Sequence, residues 1–221
     1  MPIEENPPVH GGKIPHRTIG RLSLYRRQLG RMGGPDGTHV YSHQIADICG
    51  VTPEQVRRDL MVIGCSGSPN RGYPVAELVS DITAVLDGPE MQRVALVGIG
   101  NLGRALLAYF TGRHPKMSIV AAFDSDPEKA DRIIHGCRCH PVQRMEEIVR
   151  AERIAVGVVA VPAAAAQGIA DRLVAAGVRG LLNFAPVALR VPNSVFVEDI
   201  DVTTSLEKVA YFARAGKPAT A

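Results

Sequence analysis

One short segment constrains the fold more than any other: a glycine-rich turn that follows an apolar run and opens a helical stretch. The run is RVALV over residues 93–97, and the turn is GIGNLG over residues 98–103. In such a unit the first glycine permits a tight turn, the second lets the backbone approach a pyrophosphate, and the third lets helix and strand pack closely. The helix N-terminus adds amide donors. We therefore expect a dinucleotide to contact Gly98, Ile99, Gly100, Asn101, Leu102 and Gly103.

An acidic residue follows at the spacing that ribose recognition requires. A second apolar run, residues 118–123, ends at Asp124, 21 residues beyond Gly103. A carboxylate about 20 residues after the fingerprint commonly accepts hydrogen bonds from the ribose hydroxyls. Because it would repel a 2′-phosphate, the pattern favours NAD(H) over NADP(H). The simpler alternative is a turn residue before Ser125, but the preceding glycines favour the ribose role.

The remaining half of the chain alternates strand-like and helix-like segments. Residues 154–161 form an apolar run that stops at Pro162, a helix is predicted over 163–176, and a further run covers 180–184. This alternation predicts an α/β fold with a doubly wound parallel sheet. Ligands of such sheets bind at the carboxyl ends of the strands, so the candidate contacts there are Val161, Pro162, Asn183 and Phe184.

The segment before the turn-forming cluster at residues 87–89 has a different, purely helical periodicity. Helices are predicted over 18–32, where Gly33-Gly34-Pro35 ends the first, from an N-cap at Ser42 to Gly50, and from an N-cap at Thr52 to Gly64. Thr52, Pro53 and Gln55 combine a capping box with a proline at N1. Two short helices around residues 50–52 are typical of a helix-turn-helix. Residues 64–73 then predict a β-wing.

The third helix has a face suited to DNA. Val56, Leu60 and Ile63 form its buried stripe, which leaves two arginines and a glutamine to reach bases and phosphates. Residues 13–71 contain nine basic and four acidic residues, a net charge of +5 that suits a phosphate backbone. A solvated protein–protein module would show the same charges. The DNA contacts we expect are Ser42, Gln55, Arg57, Arg58 and Arg71.

Several other classes are disfavoured. No apolar run approaches the ~20 residues of a membrane span, and the polar residues 1–15 resemble a disordered lead-in rather than a signal peptide. We therefore expect a cytoplasmic protein. The four cysteines form no disulfide framework. The Cys137–Cys139 pair is interpreted as two small apolar residues rather than as a redox or metal site, and neither a bound metal nor a catalytic residue is predicted.

Taken together, the chain resembles the Rex family of redox-sensing repressors over residues 14–214. The resemblance is carried by GVTPEQVRRDL at 50–60, VGIGNLG at 97–103, FDSDP at 123–127, VPAAAAQGIADRLVAAGVRGLLNFAP at 161–186 and VPNSVFVEDID at 191–201. It implies a repressor that binds operator DNA and senses the NADH/NAD+ ratio, the two forms competing for one site, with NADH releasing the DNA.

The resemblance further implies a homodimer whose C-terminal helices are swapped between protomers. Tyr109 matches an aromatic near the nicotinamide, and Arg27 and Asp201 match a charged pair that bridges domains in one state. A core tyrosine and a surface ion pair are the simpler alternatives. Met61-Val62-Ile63 and the wing segment 69–73 depart from the family pattern, so the operator sequence cannot be transferred.

The expected organisation is a lead-in over 1–15, a winged helix over 16–86, a Rossmann domain over 90–200 and a swapped helix and tail over 201–221. Two other functions are compatible with a glycine turn. A dehydrogenase would need a positioned acid or base, and His114, His135 and His140 are interpreted as loop residues. A CoA- or nucleotide-binding module would keep the glycines but have no particular use for Asp124.

Overall fold

The computed structural model describes residues 14–32, 38–112 and 116–215. Most of the expected lead-in, the Gly33-Gly34-Pro35 helix stop and His114 lie outside these residues. The chain divides into two compact units at the junction of Gly88 and Pro89, within the turn-forming cluster noted in the sequence.

The first unit is a winged helix-turn-helix. Its elements are α1 (His16–Met32), β1 (His39–Val40), α2 (Ser42–Cys49), α3 (Pro53–Val62), β2 (Tyr73–Pro74) and α4 (Val75–Leu86). Strands β1 and β2 pair antiparallel and form the base of the wing. The core is drawn from every helix and includes Leu22, Tyr25, Leu29, Ile45, Val56, Leu60, Leu78 and Ile82.

Two features of this unit differ from the sequence prediction. The predicted N-cap of α2, Ser42, is instead its first residue, and Tyr41 is the N-cap, whose backbone N–H donates to Oε1 of Gln44 at 2.8 Å. Helix α4 was not predicted, although Leu78 and Ile82 are buried at i, i+4 spacing. The remaining predicted helices of the unit are confirmed to within a few residues.

The second unit is a seven-stranded sheet. Its strands are β3 (Gln92–Val97), β4 (Met117–Asp124), β5 (Ile133–Ile134), β6 (Cys137–Pro141), β7 (Val156–Val159), β8 (Gly180–Asn183) and β9 (Phe196–Asp199). Their order is β5-β6-β4-β3-β7-β8-β9, and every pair is parallel except the β5–β6 hairpin. Without the edge strand β5, this is the 3-2-1-4-5-6 order of dinucleotide-binding folds, which confirms the predicted doubly wound sheet.

Helices cover both faces of the sheet. Helix α5 (Asn101–Phe110) packs on one face, where Leu107 joins Val94, Leu96 and Ala122. Helices α6 (Met145–Ala151) and α7 (Ala163–Ala175) cover the other, where Leu173 joins the alternate strand positions. Because side chains alternate across a strand, the central strands β3, β4, β7 and β8 contribute to both cores.

The last element, α8 (Val202–Ala215), has no buried residue. It begins at Val202, and the residue before it, Asp201, caps its N-terminus. The Asp201 carboxylate accepts the backbone N–H of Thr204 at 2.9 Å and its hydroxyl at 2.5 Å. Those hydrogen bonds lower the pKa of Asp201.

Candidate DNA-reading and dinucleotide-binding sites

The start of α3 is fixed by its cap. Thr52 Oγ1 accepts the backbone N–H of Gln55 at 3.2 Å, and Pro53 occupies the first turn. The predicted stripe of Val56, Leu60 and Ile63 is confirmed as buried. With that stripe inside, the exposed positions of the helix are Glu54, Arg57, Arg58, Met61 and Val62.

Arg57 joins the two helices of the helix-turn-helix. Its guanidinium donates to Oγ of Ser42 at 3.0 Å, at the start of α2, and to Glu54 at 2.9 Å. Three of the predicted DNA contacts, Ser42, Arg57 and Arg58, therefore lie near one another, the two arginines on exposed positions and Ser42 partly buried. Met61 is 70% exposed one helical turn further along, an apolar side chain of the kind that contacts a thymine methyl group.

The wing lies beside the same helix start. The Tyr41 hydroxyl donates to the carbonyl of Asn70 at 2.9 Å, so the N-terminus of α2 contacts the residue before Arg71. Gly72 has a φ of +72°, and a Cβ there would lie 2.4 Å from the Val40 carbonyl oxygen. Only glycine fits this turn, which holds the exposed Arg71 next to α2.

A buried carboxylate that the sequence did not single out connects α3 to α1. Asp59 is 1% exposed, and it accepts hydrogen bonds from Arg21, from the Tyr25 hydroxyl at 2.9 Å and from the Thr18 hydroxyl at 3.2 Å. Gln55 adds a further bond at 3.0 Å. Burial alone would raise the pKa of Asp59, but its hydrogen bonds with Arg21 and its other donors outweigh burial and lower it.

The glycine turn in the second unit has the geometry that each glycine was predicted to provide. Gly98 has a φ of +96°, and a Cβ there would meet the Ala160 carbonyl oxygen at 2.3 Å. A Cβ on Gly103 would lie 2.0 Å from the Gly98 carbonyl oxygen, whereas one on Gly100 would have no atom within 4 Å. Gly98 and Gly103 therefore shape the turn, and Gly100 leaves its outer side open.

A cavity of about 400 Å³ opens at this turn. It lies at the carboxyl ends of β3, β4 and β7, beside the N-terminus of α5, whose first amides have no partner within the helix. Open space at Gly100 next to amide donors fits the phosphates of a nucleotide. The walls are formed by Val97, Gly98, Gly100, Asp124, Ser125, Asp126, Lys129, Val142, Ala160, Val161, Pro162, Ala165 and Ile169.

Asp124 lines this cavity and also holds the turn. Its Oδ2 accepts the backbone N–H of Ile99 at 2.7 Å, and its Oδ1 accepts that of Asp126 at 2.9 Å. Lys129 lies 3.3 Å from Asp124 and 3.4 Å from Asp126. Burial would raise the pKa of Asp124, but these amides and the Lys129 ammonium lower it. Sequence reasoning missed Lys129, which lies in the loop after β4.

Some predicted contacts lie away from the cavity wall. Ile99 and Gly103 are buried beneath the turn, and Asn101 and Leu102 are exposed on the first turn of α5. Asn183 is buried, and its side chain bonds to the carbonyl of Val187 and the backbone N–H of Ala185. Phe184 packs against the core on the α5 side of the sheet.

Tyr109 lies near the far end of α5, 53% exposed, with its ring edge-on to Phe110. Arg27 is exposed on α1. Their roles, like that of Asp201 in a domain-bridging pair, stay predictions. His140, interpreted as a loop residue from sequence, lies in β6 instead.

The described part of the chain contains no group of three or more His, Cys, Asp or Glu side chains able to hold a metal ion. Among residues 14–32, 38–112 and 116–215, no helix combines the length and apolar character that crossing a bilayer requires. Cys137 and Cys139 are both buried in the sheet.

A winged helix-turn-helix joined to a dinucleotide-type Rossmann unit defines the class: a DNA-binding regulator with a built-in ligand domain. The chain is 43% identical to the redox-sensing transcriptional repressor Rex of Carboxydothermus hydrogenoformans, over 93% of this chain and 99% of the relative. It is 39% identical to Rex of Syntrophobacter fumaroxidans, over 92% and 98%. The chain belongs to the Rex family of redox-sensing transcriptional repressors.

Solved structures and family profiles also match both parts of the chain. RSP, a Rex-family repressor, has been crystallised with β-NAD+ and operator DNA; it matches with a TM-score of 0.84 and 30% identity, over 93% of this chain and 94% of RSP. RSP with β-NADH matches with a TM-score of 0.81 and 29% identity, over 93% and 96%. The profile of a putative DNA-binding protein N-terminus matches residues 13–60, and that of a CoA binding domain matches residues 89–187.

Proposed function

We propose that this protein is a cytoplasmic transcriptional repressor that binds operator DNA and leaves it when NADH occupies the Rossmann unit. We assign DNA binding to residues 16–86 and NAD(H) binding to residues 90–200. The observation that carries the proposal is a single chain holding both an exposed arginine-bearing α3 and a glycine turn closed by Asp124. RSP, a relative of similar fold, was crystallised with both kinds of ligand.

The dinucleotide supplies the redox-dependent signal when bound, and the residues of this chain provide its cradle. The first amides of α5 donate to phosphates, and Gly100 lets the backbone come close to them. Asp124 and the adjacent Asp126 supply carboxylates for ribose hydroxyls, and Val161 and Pro162 form the opposite wall. Since two carboxylates repel a 2′-phosphate, the cradle favours NAD(H), although Lys129 reduces that repulsion.

Coupling between two sites needs two global states that both ligands bias. We propose that the states are two arrangements of a homodimer whose α8 helices are swapped, with the Arg27–Asp201 pair formed in only one of them. Tyr109 would then lie near the nicotinamide. The support is α8, which has no buried residue and carries a row of exposed apolar side chains.

The test is a binding titration. Fluorescence anisotropy measures the affinity for a genomic duplex that the protein itself selects, with NADH, NAD+ or NADPH added at saturation. Coupling energies of about 1–3 kcal/mol predict that NADH weakens DNA binding about 5–150-fold, with a much smaller effect of NAD+. DNA affinity that does not change at saturating NADH would show that the protein is not a sensor.

The profile described as a CoA binding domain favours a second ligand class, CoA or a related nucleotide. The two candidates differ in their need for Asp124, which ribose recognition in NAD(H) uses directly. Mass spectrometry of ligand that co-purifies with the protein distinguishes them. The relatives are named as repressors, so we do not propose a dehydrogenase activity.

A further inference from the structure

The side-chain amide of Gln55 is directed along α3 and into the protein. Its Nε2 donates to Oδ1 of Asp59 at 3.0 Å, and its Oε1 accepts from Nη2 of Arg58 at 3.3 Å. Both polar ends of the amide are therefore bonded to side chains of the same helix.

This arrangement conflicts with direct base reading by the glutamine. A glutamine that recognises adenine uses both ends of its amide at once, accepting from N6 and donating to N7. To do so, Nε2 of Gln55 would have to leave the buried Asp59 carboxylate, and hydrogen bonds to an ionised acceptor are stronger than neutral ones. Adenine N7 would therefore have to compete for Nε2 of Gln55 with the Asp59 carboxylate, which is the stronger acceptor.

The Asp59 carboxylate is itself held in place. Arg21 donates to both of its oxygens, at 2.5 and 2.7 Å, and Tyr25 donates to Oδ2 at 2.9 Å. Both donors belong to α1, which packs against α3. The position of the Gln55 amide is therefore set by α1 through Asp59, before any DNA is present.

We infer that Gln55 is a positioning residue that orients Arg58, and that Arg58, not Gln55, reads the base edge. A guanidinium held in one orientation suits guanine, whose O6 and N7 accept a bidentate pair. Arg57 differs from Arg58, because its guanidinium donates to Ser42 and Glu54 rather than to the Gln55 amide. The inference rests on the proposed DNA-binding function.

A double-mutant cycle tests it in the full chain. The duplex is selected from a random-sequence library by the wild-type protein, and affinity is measured by anisotropy. Gln55→Met keeps the chain length and removes both polar ends. We expect it to weaken binding about tenfold in the wild-type background, and less than about twofold when Arg58 is already alanine. Paired with Arg57→Ala as a matched control, Gln55→Met should instead keep its tenfold effect.

The base-preference profile of each variant is the second readout. Gln55→Met and Arg58→Ala should relax the preference at the same base pair, which a merely structural loss would not do. The inference would be overturned if the affinity losses of Gln55→Met and Arg58→Ala were additive. It would also be overturned if Gln55→Met relaxed the preference at an A·T base pair whose recognition Arg58→Ala leaves unchanged. The thermal midpoint and the NADH affinity of each variant show whether it is folded. If Gln55→Met is misfolded, Gln55→Asn replaces it, because its side chain is too short to bridge Asp59 and Arg58. A wild-type protein that selects no duplex refutes the proposed function itself.

Discussion

The backbone amide of Ile99, inside the glycine turn, donates to Oδ2 of Asp124 at 2.7 Å. The bond ties the turn after β3 to the end of the neighbouring strand β4. The same carboxylate accepts the amide of Asp126, so one side chain fixes both loops that border the cavity. Asp124 is therefore both a wall of the site and a support for its glycine turn.

Replacing Asp124 with alanine should weaken NADH binding by at least about tenfold, since a hydrogen bond to a charged group contributes about 1.5–3 kcal/mol. DNA affinity without NADH should stay within about twofold, because α3 belongs to the other unit. Calorimetry and anisotropy measure the two affinities. Asp171→Ala, which removes an exposed acid from α7, is the matched control. If NADH bound Asp124→Ala as tightly as the wild type, this carboxylate would have no part in the site.

The three glycines of the turn should differ when each is changed to alanine. Gly103→Ala and Gly98→Ala place a Cβ 2.0 and 2.3 Å from carbonyl oxygens, and overpacking of this kind costs about 1–3 kcal/mol or more. Both should lower the thermal midpoint. Gly100→Ala meets no atom, so it should fold like the wild type and lose only dinucleotide affinity. Full NADH binding by Gly100→Ala would contradict the assignment of the phosphates to this turn.

The sequence contained strong local signals for the elements that carry function. Thr52 and Pro53 set the start of α3 because a cap and an N1 proline act within four residues. The continuous apolar run of β3 and the glycines after it likewise needed no distant information. These elements were predicted to within a few residues.

The features that could not be predicted from the sequence depend on contacts between residues that are distant along the chain. Asp59 looked like one acid among exposed arginines, yet its partners Arg21 and Tyr25 lie 38 and 34 residues earlier. The inward direction of Gln55 follows from that carboxylate and could not be seen from helical spacing. Lys129 faces the cavity because the loop after β4 folds back to Asp124, which no local pattern predicts.

The buried cysteines should react slowly with thiol reagents. Burial, with a contribution from Asp81, raises the pKa of Cys65 to about 12, and burial raises that of Cys137 to about 11. At pH 8 a thiol with a pKa of about 12 is ionised in roughly one molecule in ten thousand, and the thiolate is the reactive form. Timed alkylation with mass spectrometry should find both residues modified only after denaturation. Rapid labelling of either in the native protein would favour a redox role.

The pair between Glu146 and Arg172 should stabilise the second unit in a pH-dependent way. Hydrogen bonds from Arg172, at 2.5 and 2.7 Å, lower the pKa of Glu146 to about 2. Since the unfolded-state pKa is higher, about 4.5, the contribution is complete above that value and is lost as the pH falls toward 2.

Glu146→Gln should therefore lower the free energy of unfolding by about 1 kcal/mol at pH 7. This value is reduced for solvent screening because both side chains are partly exposed. The difference from wild type should shrink between pH 5 and pH 2, the range set by the two pKa values. Urea unfolding at several pH values measures it. Glu147→Gln, which removes a more exposed pair with Arg144, should have a smaller effect, and a pH-independent cost for Glu146→Gln would contradict the assignment.

Helix α8 should need a second copy of the chain. Its 14 residues are marginal as an isolated helix in water, and Val202, Leu206 and Val209 line one face at i, i+4 and i+7 while remaining 65–69% exposed. Leu206→Asp with Val209→Asp places two charges on that face. In size-exclusion chromatography with light scattering, we expect the wild type to elute as a dimer and the double variant as a monomer. Lys208→Glu, a charge change on the same helix away from that face, should stay dimeric. Because a palindromic operator needs two recognition helices at a fixed spacing, the monomer should also lose most of its DNA affinity. A double variant that remained dimeric would exclude α8 from the dimer interface.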